Sequence, residues 1–196
     1  MESADPEAVV EEFRPMAPKD FLESIRGLEF RNPKWLYGAI DDPDPYQGDI
    51  AKDGELSYVD RTGALRGYHG AVALASHGCD AVPGRNQVAT LVPVFSAERY
   101  LAEFPEADRA QRLGELRSNR LTSLFYLPAV DTFPESYIDF AWAAAISTYR
   151  IATMFSSAPA SDRLRLSRKG WYLFAAKLAH HVAHEKRLAD YKRAGS

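Results

Sequence analysis

GYHGAVALASHGCDAVPGRNQVATLVPVFS, residues 67–96, decides how the rest of the chain is read. Two apolar runs, 71–75 and 88–95, flank a polar loop, 76–87, that carries the one cysteine of the chain, Cys79, with His77 and Asp80 beside it. Short apolar runs bounded by Gly, Pro and Asn predict buried strands, and their weak alternation predicts cover on both faces. A loop between two such strands lies where a scaffold presents functional side chains.

Upstream of this stretch, Leu56, Tyr58, Leu65 and Tyr68 predict two strands joined by the turn Asp60-Arg61-Thr62-Gly63, where Gly63 supplies a positive φ. The segment DDPDPYQG at 41–48 is a loop by its prolines and marks a boundary before the core. Residues 1–48 are therefore expected to be a helical N-terminal arm and linker. Asp5 caps a first helix at Pro6 that Pro15 and Pro18 end, a second covers 19–28, and Trp35 and Tyr37 follow in a short aromatic element. Residues 49–196 are expected to hold the core and C-terminal helices, the whole forming one domain.

Downstream, Ser96 caps a helix over 97–118 that Pro105 interrupts, leaving one helix or two open. Residues 121–130 predict a strand ended by Pro128, and 137–152 a strand leading into a mixed element. Residues 155–162 have the composition of a linker. The clearest helix runs over 166–193, capped by Ser167, with Trp171, Phe174, Leu178 and Val182 on one face toward the core.

At 196 residues with 46% apolar side chains, the chain is long enough to bury a core without staples. A single cysteine forms no internal disulfide, which fits a reducing compartment. The longest weakly polar run is far shorter than a membrane span, and the acidic start MESADPEAVVEEF lacks the order of a secretion signal. A cytoplasmic protein with no membrane partner is expected. The net charge of −3 hides an asymmetry: residues 1–60 carry 6 Lys and Arg against 15 Asp and Glu, and residues 161–196 carry 9 against 3. A basic end binds phosphate, and an acidic end binds a basic partner or masks the basic end; equally, both are solvated faces.

The core resembles the MazF/PemK family. Gly48-Asp49-Ile50 matches its opening strand, Gly67-Tyr68-His69-Gly70-Ala71-Val72-Ala73-Leu74 its middle strand, and Leu91-Val92-Pro93-Val94 its closing strand. The resemblance implies a small Src-homology-3-like barrel and the activity of a bacterial-type, ribosome-independent RNA-cutting toxin of a toxin–antitoxin pair. The expected fold is thus α+β: a small MazF/PemK-like β-barrel with N-terminal helices and a long C-terminal helix packed on it. Two positions depart from the family pattern. Its catalytic arginine falls at His69, followed by Gly70, and its catalytic threonine at Phe95, with Ser96 one residue later and on the opposite face of a strand. Phosphodiester cleavage needs a cation and a proton carrier. His69 serves for either, whereas phenylalanine serves for neither.

Catalytic candidates are therefore His69, Ser96 and Cys79. Cys79 is a nucleophile assisted by a histidine, a metal ligand with His77, or simply a small buried thiol. His180 and His184, four apart on the last helix, can share a zinc ion with His77 and Cys79 if the four meet; otherwise they are solvated helix residues. The sequence HHVAHE lacks the glutamate that a zinc protease uses as base. Arg163, Arg165, Arg168 and Lys169, with Trp171 and Tyr172 close behind, are candidates to grip an RNA backbone and stack a base, joined by His77, Asp80 and Arg85 of the central loop. Partner expectations are RNA or a protein, with a homo-oligomer open. The alternatives to an RNA-cutting enzyme are a non-enzymatic protein- or nucleic-acid-binding module and a metal or thiol enzyme using His77 and Cys79. No P-loop, dinucleotide fingerprint or paired-cysteine zinc motif is present.

Overall fold

The ten-residue strands β2 (Ile50–Val59) and β3 (Leu65–Leu74) pair in register about the turn that contains Gly63, whose φ is +82°. In the computed structural model the described residues are 32–59, 62–131 and 133–194, with side chains up to Ala183 and without that of Val59. The helices expected after Asp5 and over 19–28 lie outside them. Before β2 come helix α1 (Pro33–Leu36) and strand β1 (Tyr37–Gly38). After β3 come strand β4 (Val88–Ser96), helices α2 (Ala97–Ala102) and α3 (Glu106–Arg117), and strands β5 (Leu124–Leu127), β6 (Ser136–Asp139) and β7 (Ala144–Ser147). Helix α4 (Thr148–Phe155), strand β8 (Arg163–Leu166) and helix α5 (Arg168–Ala194) complete the chain.

The fold is α+β. Among the described residues, eight antiparallel strands form one sheet in the order β1-β8-β2-β3-β4-β6-β5, with β7 on β4. β1 and β5 stand at opposite ends of this order, so the sheet is not closed among the described residues. Leu91 pairs with Leu74 on one side and Ala144 on the other. Further along β4, Val94 pairs with Ile138, so two residues on β4, 92 and 93, face five on the β6–β7 side, 139–143. The surplus is taken up by a 3₁₀ turn, Phe140–Trp142. Pro93, which has no N–H to offer a ladder, sits in that gap.

Two apolar cores result. The larger sets Phe125, Ile138, Phe140 and Phe174 between the sheet and α5; the smaller sets Leu56, Leu74, Leu91 and Ile146 against Ile151 and Phe155 of α4. Phe140 and Phe125 meet the Phe174 ring edge-on, each at 5.4 Å. The expected face of the last helix is corrected by a rotation of about one residue, roughly 100°. Leu173, Phe174, Ala176 and Lys177 are buried, while Trp171 is 38% and Val182 57% exposed. The segment expected to run as linker into helix contains β8 instead. Its Arg-Leu-Arg-Leu pattern is a strand because its arginines have a buried counter-ion. No helix among the described residues is long and apolar enough to cross a membrane.

Candidate functional site

Three segments distant in sequence meet at one end of the sheet: the loop 41–49, the loop 76–82, and the junction of β8 with α5. The first is held by charge. The Asp49 carboxylate accepts from Arg165 Nε (3.1 Å to Oδ1) and from a second Arg165 nitrogen at 2.9 Å, and from Arg163 at 3.2 Å. It also accepts the backbone N–H of Tyr46 at 3.1 Å. The side chains of Asp49 and Arg163 are each 2% exposed. Arg163 also donates to the Pro43 carbonyl, and Arg165 to that of Asp44, so the two guanidiniums fold the loop around themselves. Arg165 further lies 4.3 Å over the Tyr46 ring. Buried charges persist only when paired and hydrogen-bonded in this way.

The second segment is pinned by close approach. His77 caps the 3₁₀ turn Gly78–Ala81, its Nδ1 accepting the Cys79 N–H at 3.3 Å. A Cβ on Gly78 would stand 2.6 Å from the Pro45 carbonyl oxygen, so only glycine lets the two loops touch here. Gln47 bridges to the third segment, donating to the Ala75 carbonyl and accepting from the Trp171 indole at 3.2 Å. Ser167 caps α5 as expected, accepting the Gly170 N–H at 3.0 Å.

Between the segments lies a cleft of about 580 Å³. Tyr46, Val82 and Trp171, three of the large apolar side chains left exposed, line it together with Cys79, His77 and Arg168. A mostly apolar cleft with a few polar groups is the usual form of a small-ligand site. On its rim, hydrogen bonds from the Asp44 N–H and the Tyr46 hydroxyl hold the Asp42 carboxyl below its ordinary range.

A second cluster lies on the outer half of the β2–β3 hairpin. A bulge between Ala51 and Gly54, with Gly70 at φ +152°, turns this half away from β4 and β8. Glu55 sits opposite His69 across the ladder. His69 Nε2 is 3.5 Å from Asp53, and Arg150 of α4 binds Glu55 at 3.0 Å. These four side chains, each more than half exposed, line a depression of about 290 Å³.

The expected site residues thus separate. His77, Cys79, Arg165 and Arg168 come together in the cleft, while Arg163 lies beneath it. Arg163 and Arg165 are internal ties, which corrects their reading as surface grips for RNA. Asp80 and Arg85 are exposed and line neither hollow, and Asp80 accepts from Asn86 at 3.0 Å. Lys169 is half-buried on the first turn of α5. Ser96 is the cap of α2, its Oγ accepting the Arg99 N–H at 3.3 Å. Phe95, at the family's threonine position, is buried against Tyr68 and Tyr137 with Arg99 4.1 Å over its ring.

His180 lies nine residues along α5 from the cleft-lining Trp171, about 13 Å of helix rise. The side chain of His184 lies outside the described residues. No three His, Cys, Asp or Glu side chains gather to hold a metal ion among the described residues. The ring nitrogen of His77 that faces Cys79 is occupied by that residue's N–H, not by its thiol.

Sequence reading passed over Asp53, Glu55 and Arg150. A signal for one of them was present: a hairpin centred on residue 62 sets Glu55 opposite His69. Asp44, Tyr46 and Gln47 were read only as a boundary loop. Comparison with protein-family models, with curated proteins and with solved structures gave no match.

Proposed function

We propose that the chain is an RNA-directed protein of the MazF/PemK-like kind that cuts single-stranded RNA at the outer half of the β2–β3 hairpin. One observation carries this reading: His69, at the position of the family's arginine, is gathered with Asp53, Glu55 and Arg150 around one depression. The cluster supplies the proton carriers and the cation that phosphodiester transfer needs. In the proposed reaction Glu55 takes the proton of a ribose 2′-hydroxyl, and that oxygen bonds the adjacent phosphorus. The bond to O5′ breaks, and His69, which lies 3.5 Å from Asp53, gives O5′ its proton. Arg150 steadies the charge on the non-bridging oxygens. The products are a 2′,3′-cyclic phosphate and a 5′-hydroxyl. The barrel belongs to the same proposal. Strands β7, β4, β3 and β2 are consecutive in the sheet, and β2 returns beside β7 around Leu56, Leu74, Leu91 and Ile146, which supports a small curled cylinder.

The test is incubation of the full chain with unstructured RNA in a chelating buffer. Fragments ending in 5′-hydroxyl groups are expected, with a loss of about 10²–10⁴ in rate for His69→Ala. Intact RNA, or cleavage indifferent to His69, overturns the reading. The cleft favours a second reading, a non-enzymatic binding module, which RNA retention or capture of a protein partner without turnover would support.

A further inference from the structure

The cleft holds two charged groups of opposite sign that the fold leaves unused. Asp44 and Arg168 both line it and are exposed, and neither the carboxylate nor the guanidinium has a hydrogen bond or ion pair among the described residues. They contrast with Asp49 and Arg165 in the same wall, whose polar atoms are taken up by each other and by the loop. Trp171 and Tyr46, both partly exposed, line the same cleft. The indole is oriented by Gln47 and the phenol ring by Arg165. Fixed aromatic faces stack a nucleobase at small entropic cost. A carboxylate only accepts hydrogen bonds, and a guanidinium only donates them, preferentially to phosphate.

These properties select among bases. Adenine and cytosine set an amino donor beside a ring acceptor, and uracil sets its one N–H between two carbonyls. Guanine alone presents two adjacent donors, N1–H and N2–H₂, which match the two oxygens of one carboxylate. His77 adds a donor: with Nδ1 accepting from Cys79, its Nε2–H is free to meet a base acceptor. A volume of about 580 Å³ suits a single nucleotide.

We propose that this cleft is a guanine-nucleotide site, with the base stacked on Trp171 and Tyr46, its donor edge on Asp44 and its phosphate on Arg168. The proposal deepens the RNA-directed reading, naming the base that the protein holds while the hairpin acts on the strand.

The test is titration of the full chain with GMP, AMP, CMP and UMP, followed by tryptophan emission and by calorimetry, and with a short RNA containing one guanosine. GMP is expected to bind at least tenfold more tightly than UMP. Asp44→Asn should erase that preference, Arg168→Gln should weaken all four nucleotides alike, and Trp171→Phe should retain binding that Trp171→Ala loses. Tighter binding of the RNA than of GMP identifies the guanosine of a strand as the ligand; equal binding identifies the free nucleotide. Equal affinity for the four nucleotides, or a guanine preference that survives Asp44→Asn, overturns the proposal. The two readings fail separately. Selective GMP binding without RNA cleavage leaves the cleft and removes the hairpin chemistry. RNA cleavage at the hairpin with equal affinity for the four nucleotides does the reverse.

Discussion

The cleft wall and the hairpin arm are built from the same kind of pair, a carboxylate facing a cation, yet the pairs do opposite work. In the wall, Asp49 and its two arginines are buried, with side chains 2–8% exposed, and their geometry determines where the 41–49 loop lies. On the arm, Asp53 with His69 and Glu55 with Arg150 stand in solvent. A buried pair cannot exchange partners without a large desolvation cost, so it fixes structure. An exposed pair is held weakly and can hand its hydrogen bonds to a ligand.

The sharpest way to break this comparison is Asp49→Ala. It strands two buried guanidiniums, and a loss of about 3–5 kcal/mol in urea unfolding is expected. The cleft should disappear with it, seen as loss of the Trp171 environment. A loss near 1 kcal/mol would mean that the wall is no more rigid than the arm.

A smaller effect tests whether burial alone controls a charge. Lys177 is buried with no carboxylate bonded to it among the described residues, donating to the carbonyls of Asn119 and Leu121 and to the Asn119 side chain. Burial pulls its pKa from the ordinary 10.5 down to about 7. Between those values the unfolded chain holds a proton that the folded chain lacks, so stability rises as pH climbs from about 7 to 10.5. Urea midpoints measured across that window should rise in the native protein and lose this slope in Lys177→Met. An unchanged slope would place the titrating group elsewhere.

The smallest effect belongs to the arm. Arg150→Ala should cost about 0.2–1 kcal/mol in the same urea experiment, as exposed pairs do, while RNA cleavage falls sharply. A large stability loss with no loss of cleavage would make the arm a second structural tie.

The same contrast explains what could be read from the chain alone. Strands β3 and β4 announce themselves as apolar runs, and the caps Ser96 and Ser167 lie one residue before their helices; such signals are local. Strand β8 hid because its burial depends on Asp49, 114 residues before Arg163 and 116 before Arg165. Two arginines in four residues look like surface until that carboxylate is placed. Trp171 was assigned to the core because helical spacing identifies a stripe but not its edge, and this ring falls on the edge over the cleft. His180 and His184 are spaced four apart in the sequence, yet helix rise carries His180 away from His77, a separation that residue type cannot reveal. His69 was found by its position in a pattern, but its neighbour Arg150 comes from a helix eighty residues later.

The Asp49 clasp also orders events in time. Its two arginines follow 114 and 116 residues after the aspartate, so during synthesis Asp49 must wait for these partners while everything between is made. Trp171 and Arg168 emerge just behind them. The walls of the cleft therefore cannot come together until synthesis has passed Arg165, 116 residues beyond the aspartate.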